Sequence, residues 1–285
     1  MRGTLFSSAA LSILISLAIV VVLTGDAISF LTNIDLGWLG ADGWFPRSND
    51  FGLPTIFAGT MVIVVIAIVV AVPVGLGSAL YLSEYAKPRV RRKVKPVLET
   101  LAGIPSVVLG YFALKTINPA LVQPLSGDAG PFTLAAAGIA VGILVVPLIA
   151  SVAEDAMFAV PGALREGAYG IGARRRTVST QVVFPAAVSG IVAAVILGIS
   201  RAVGETMIVA IAAGATGGAS FTVNPFSRGQ TMTGAISSLA IGSDQVRGSG
   251  QAFNSLYLVG LLLFGMTLAL NVVSERFVRR VRKAY

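Results

Sequence analysis

The chain has 285 residues, 55% of them hydrophobic and only 12% charged, with a formal net charge of +8. It contains no Cys and no His, which excludes thiol nucleophiles, Ser-His catalytic arrangements, disulfides, and thiolate or imidazole metal sites. The apolar residues fall in long runs, and a bilayer, which offers no water to backbone polar groups, admits such runs as helices of about 20 residues.

The runs predict an all-α polytopic membrane protein with six transmembrane helices, at roughly 6–24, 54–83, 97–116, 132–152, 187–213 and 254–275. Arg2 followed by an apolar run also has the look of a signal peptide, but a convincing small-x-small cleavage site does not follow, and a retained helix is expected. Residues 25–53 carry four Asp together with Trp38 and Trp44, which suggests an ordered interfacial patch or partner surface. The second run is too long for one straight crossing, so a break is expected at Pro73. Further breaks are expected at Pro105 in the third span and Pro147 in the fourth. In lipid, irregular backbone is tolerated where protein or a water-filled cavity satisfies the freed groups, and it exposes N–H groups to an anion. Residues 214–253 are rich in Gly, Ser and Thr, with a weak apolar stretch at 232–241, and are long enough to cap a mouth or meet an external protein.

Basic residues cluster after spans two, four and six. With Arg2, 16 of the 21 Lys and Arg fall on one side, whereas Arg47, Arg228 and Arg247 fall on the other. The positive-inside rule puts both termini and the 153–186 loop in the cytoplasm. The same distribution makes the basic runs anchors near anionic lipid and argues against nucleic acid as a partner. Asp26, Asp35, Asp42, Asp50, Asp128 and Asp244 sit in or beside outward loops and Asp155 at a cytoplasmic boundary, which removes an intramembrane aspartyl protease. No Gly-Lys dipeptide occurs, so a phosphate-cradling loop is absent and any ATP is bound by another polypeptide.

Between spans four and five, Pro161 suits the first turn of a helix in which Leu164, Ala168 and Ile171 form one apolar stripe. Arg165 and Glu166 lie off that stripe, facing water or a partner. Gly172 suits a left-handed turn just past the helix. Arg174 to Arg176 begin a second segment that ends at Pro185. The helix and its turn make either a compact knob for a socket or an ordinary interfacial loop.

Span five carries Arg201 and Glu205, four residues apart and flanked by apolar sequence. Charge at membrane depth is costly, and the spacing allows pairing on one helix face. Arg201 offers a fixed charge with several donors, suited to a tetrahedral oxyanion, and Glu205 neutralises it when the site is empty. Thr206 and Ser200 could add hydroxyl donors. The alternative is a structural ion pair between spans.

Glu166-Gly167-Ala168, Gly172 six residues after Glu166, and Phe184-Pro185 resemble the EAA motif of ABC-importer permeases, departing from it at Gly167 for Ala, Val182 for Ile and Phe184 for Leu. Residues 75–86 (GLGSALYLSEYA), 101–114 (LAGIPSVVLGYFAL), 151–168 and 198–209 (GISRAVGETMIV) resemble the PstC-type permeases of phosphate-specific importers, and the likeness runs from about 51 to 275. That resemblance implies a type I (MetI-like) permease core at 51–275, preceded by an N-terminal helix and first extracytoplasmic loop at 1–50. It makes 153–186 the coupling loop that docks the ATPase through Leu164, Glu166, Gly167, Ala168, Gly172, Phe184 and Pro185, and 276–285 a basic cytoplasmic tail. It implies partners: a PstA-type permease subunit, two copies of a cytoplasmic ATPase that uses the ATP, and an external phosphate-binding protein. This chain itself holds no cofactor. Arg201 and Glu205 then match the charged pair of the family's translocation path. Other readings are a related importer for another oxyanion or phosphonate and, more distantly, a standalone anion channel or proton-coupled transporter.

Overall fold

The computed structural model describes residues 2–214, 218–241 and 250–282. Asp244, Arg247 and Lys283 lie outside the described residues. Helix α1 (Arg2–Thr32) is followed by strands β1 (Gly43–Phe45) and β2 (Asp50–Phe51), then α2 (Leu53–Leu80), whose end passes into a π-helical turn at Tyr81–Tyr85. Helices α3 (Pro88–Leu101) and α4 (Ser106–Phe112) come next, α4 continuing as a π-helical stretch to Val122. The long α5 (Leu134–Phe158) leads into α6 (Gly162–Gly170), α7 (Arg175–Thr177), a π-helical turn at Val178–Val183, and α8 (Phe184–Ala186). Helices α9 (Val188–Val203) and α10 (Met207–Ala212), strand β3 (Ala219–Ser220), α11 (Met232–Ile241) and α12 (Gly250–Arg282) complete the order.

Among the described residues, four helices are long and apolar enough to cross a membrane (α1, α2, α5 and α12), and six spans result if each of two bent pairs counts as one. The bent pairs are α3 with the α4 segment, at 84°, and the α7–α8 segment with α9, at 71°. The first span is longer than the expected 6–24 and stands at the periphery. It packs on α12 through its second half, where Leu23 meets Gly260 and Ala27 and Phe30 join Leu258 and Val259.

The centre is the α2–α5 pair. Gly138 sits against Ile66 and the Ile63 carbonyl, Gly142 against Val70 and the Ala67 carbonyl, and Gly75 against Ile149. Small residues let two backbones approach closely, which is how helices associate where lipid removes the hydrophobic driving force. This pair also overturns two of the expected breaks: α2 runs unbroken through Pro73 and α5 through Pro147. The fixed φ of proline is already helical, so each ring removes one hydrogen bond, and close packing on the neighbouring helix holds the rest. At Pro105 the break is real. Helix α3 stops at Leu101, Pro105 takes an extended backbone with ψ 128°, and α4 starts at Ser106. The residue before a proline is pushed out of the helical region, and Gly103 does not resist.

The end of the bundle where α2 begins is closed by a small antiparallel sheet, ordered β2-β1-β3, with Trp44 opposite Phe51 and Ala219. Trp44 and Phe51 are fully buried and stack edge-on, so the tryptophan-bearing segment is indeed an ordered patch. The weak apolar stretch is a buried helix, α11, whose Met232 N–H donates to Thr60 Oγ1 on α2 at 3.0 Å. The opposite, basic end holds α3, α6 and the α7–α8 segment.

Candidate functional site

Helix α9 does not continue through the charged pair. It ends at Val203, Gly204 and Glu205 close the turn, and α10 starts at Met207 after Thr206. Arg201 and Glu205 therefore flank a break and do not share a continuous helix face. They do pair: Arg201 Nη1 lies 3.2 Å from Glu205 Oε2. The burial is lopsided, with the Arg201 side chain 48% exposed and that of Glu205 only 3%. Glu205 Oε1 accepts from the Ile208 N–H at 3.4 Å, at the mouth of α10, and the Glu205 carbonyl accepts from Thr233 Oγ1 of α11 at 2.8 Å. A carboxylate so deep is held by one guanidinium and a long backbone contact, while the arginine side chain stays half exposed. Gly198, about one turn before Arg201, rests against Ile149 and Val145 in the middle of α5.

The two hydroxyl residues are adjacent but engaged elsewhere. Ser200 Oγ donates to Asn271 Oδ1 on α12 at 3.5 Å, and Thr206 Oγ1 donates to the Gly204 carbonyl at 3.3 Å. Beyond them, α4 packs on α10 where Gly110 meets Ile208 and Ile211.

At the basic end, Gly172 follows α6 in the left-handed region at φ 82°, as the sequence suggested, whereas Pro161 stands at the N-cap, just before the first turn and not within it. The expected stripe is corrected. Leu164 is half-exposed and Ile171 is 87% exposed, whereas Ala168 faces the bundle. Arg165 is corrected too, because it turns inward. Its Nη2 donates to Glu84 Oε1 at 2.9 Å and to the Met157 carbonyl at 2.8 Å, and its Nη1 donates to the Val160 carbonyl at 2.5 Å. That anchor rolls α6 so that Arg165 and Ala168 face in, leaving Leu164, Glu166 and Gly167 outward. Phe184 and Pro185 are half-buried, with Phe184 packed beside Val183 and Ala187.

A family model, described as the binding-protein-dependent transport system inner membrane component, matches residues 71–283. The chain belongs to this family. It is 33% identical over 290 residues to the probable ABC transporter permease protein YqgH of Bacillus subtilis, covering 99% of this chain and 91% of that one. It is 30% identical over 273 residues to the phosphate transport system permease protein PstC of Pasteurella multocida, covering 88% and 82%. Among solved structures, a bacterial ABC transporter that imports the acidic polysaccharide alginate has a chain matching 98% of this one and 96% of its own length, with a TM-score of 0.66 at 15% identity. The protein is thus a multi-pass membrane permease with the fold of ABC-importer permeases, and its relatives are transport proteins and not enzymes.

Sequence reading of the permease missed most of its buried charges. Among the described residues the buried carboxylates are Glu84, Glu154 and Glu205. Glu154, on α5, pairs with Arg91 at 2.6 Å and Lys95 at 2.8 Å, and Lys95 also bonds Asp155. Arg91 lies 3.7 Å from the Phe158 ring centroid, a cation–π contact. These contacts clamp α3 to the end of α5. Burial works against the Lys95 ammonium, but hydrogen bonds to Asp155 and Glu154 outweigh it and hold its pKa above the ordinary lysine value. Lys115, exposed on the π-helical extension of α4, is a further cation in the third span. The available signal was a charged residue inside or just beside an apolar run, which marks a cost that some partner must offset.

Proposed function

We propose that this chain is the permease subunit of an ATP-driven, binding-protein-dependent phosphate importer. The reading rests on one observation above others: Arg201 is a half-exposed fixed cation at mid-bundle, poised over a buried carboxylate at a helix break. About half of its side chain is exposed, where a second permease subunit of the PstA type would complete the path. The relatives named PstC support phosphate as cargo, and a planar guanidinium with several donors suits a tetrahedral oxyanion.

In this reading both termini and the 153–186 coupling loop face the cytoplasm, and the small sheet faces the external phosphate-binding protein. The permease core runs over 51–275, after the 1–50 segment and before the 276–285 tail. Two cytoplasmic ATPase subunits bind the ATP, one of them docking on Leu164, Glu166, Gly167, Ala168 and Gly172, with Phe184 and Pro185 bracing the segment that returns to α9. ATP closure draws the loops together and opens the path outward. Phosphate displaces Glu205 from Arg201, and hydrolysis resets the inward state. Arg201 attracts the anion without trapping it because Glu205 competes for the same guanidinium.

The test is labelled-phosphate uptake by phosphate-starved cells lacking other phosphate transporters, with the chain deleted, restored, or carrying Glu166→Lys. Loss on deletion, rescue by the wild type and failure of a normally inserted Glu166→Lys are expected. Undiminished phosphate uptake on deletion would overturn phosphate as cargo and leave another oxyanion.

A further inference from the structure

Helix α6 is weakly seated by packing, since it has no fully buried residue. A short turn at 159–161 joins it to α5, and the left-handed Gly172 follows it, so both flanks can act as hinges. What fixes its position is charge. Glu84 projects from the π-helical turn that ends α2, and its side chain is only 4% exposed. Burying an unpaired carboxylate is unfavourable, so Glu84 binds what neutralises it. Its Oε1 accepts from Arg165 Nη2 and Nε at 2.9 and 3.3 Å and from Ser83 Oγ at 3.0 Å. The remaining Arg165 donors take the Met157 and Val160 carbonyls at the end of α5. On the other side of the loop, Arg175 donates to the Glu84 carbonyl, and its guanidinium lies 5.0 Å from the Tyr85 ring centroid. One residue of the turn that ends α2 thus holds both flanks of the loop, and one guanidinium ties α6 to that turn and to the end of α5.

We infer that Glu84 is the positioning residue of the coupling step. Through Arg165 it fastens α6 to the α2–α5 pair, so that displacement of α6 moves that pair and is not absorbed at the two hinges. The inference rests on the reading of α6 as the ATPase-docking element. Neutralising Glu84 frees α6 to swing, and hydrolysis then proceeds with less transport.

The experiment uses the whole complex in proteoliposomes, measuring phosphate uptake and ATP hydrolysed per phosphate for Glu84→Gln, Glu84→Asp and Arg165→Lys, each normalised to inserted protein. For Glu84→Gln and Arg165→Lys the maximal uptake rate falls about tenfold with KM unchanged, because misplacement and not binding is affected. More ATP is consumed per phosphate, and Glu84→Asp, which keeps the charge, recovers part of the rate. A wild-type rate and ATP ratio in Glu84→Gln would overturn the inference. So would a loss of insertion with an unchanged rate per inserted molecule, which is all that a structural role requires. Glu166→Lys separates the two layers. If it leaves uptake intact, the docking reading itself fails; if it abolishes uptake while Glu84→Gln does not, only the positioning role fails.

Discussion

Removing either partner of the Arg201–Glu205 pair should have unequal consequences for stability, and the burial figures set the difference. Arg201→Ala strands a carboxylate whose side chain is 3% exposed, leaving it the Ile208 N–H at 3.4 Å. Breaking a fully buried pair costs about 3–5 kcal/mol, and the 48% exposure of Arg201 places this one near the low end, at about 3 kcal/mol. Glu205→Gln keeps the shape and an acceptor for Ile208, and the half-exposed guanidinium rehydrates, so the loss is about 1 kcal/mol. The double variant lacks the stranded charge and should also lose only about 1 kcal/mol. The cycle then yields a coupling of about 3 kcal/mol, well above the ~0.5 kcal/mol scatter of independent sites. Thermal unfolding of the detergent-purified permease, with uptake measured in parallel, reads both quantities. Arg201→Ala should abolish uptake even at a temperature where it is fully folded. Additive stability losses would refute the pairing, and wild-type uptake by folded Arg201→Ala would refute its place in the path.

Other expectations follow from single contacts. A Cβ at Gly59 would overlap the Gln230 carbonyl, so Gly59→Ala should fail to accumulate in membranes, whereas Gly167→Ala meets open space and should stabilise α6 by up to about 1 kcal/mol with transport retained; immunoblotting and uptake check both. Pro73→Ala restores a hydrogen bond within a continuous helix and should leave transport intact, while Pro105→Ala should relax the 84° bend and impair it, as uptake assays can decide. Because the Lys95 pKa is raised, its contribution is complete below the ordinary lysine value and is lost only as pH rises through the raised value. The stability difference between wild type and Lys95→Met should therefore be constant from neutral pH up to that range, and a difference that fades near pH 8 would contradict it.

The turn of the 153–186 loop was legible because its signals are local. A proline, a short helix and a glycine beyond it fix a turn whatever the chain packs against, and Gly172 adopts the positive φ its position requires. Arg201 and Glu205 were legible because charge inside an apolar run must be offset by something. The break between them was half-written in Gly204, but the helical spacing of the pair pointed the other way. The proline breaks divided on a non-local fact. Pro73 and Pro147 belong to two helices held together along Gly75, Gly138 and Gly142, while Pro105 follows an amphipathic helix clamped to α5 at its side. The 71° bend near Ala187 had a local signal in Pro185, where the sequence ended the segment, but its angle had none, since it lies where Gly190 is pressed onto the Ala156 methyl of another helix.

The same distinction explains why Glu84 stayed hidden. Its partner Arg165 is 81 residues away in sequence, and each residue alone reads as a boundary charge at the edge of an apolar run. Only the fold makes them one object, by bringing the end of α2 beside the end of α5 and laying α6 across both. A boundary charge that is exposed contributes about 0–1 kcal/mol as a surface pair and could be lost with little effect. Glu84 is buried, so its neutralisation leaves Arg165 with carbonyls alone and removes the charge that holds α6 down. The mechanical link between the proposed docking knob and the bundle is therefore carried by a long-range contact, and a sequence can present its two halves without presenting the link.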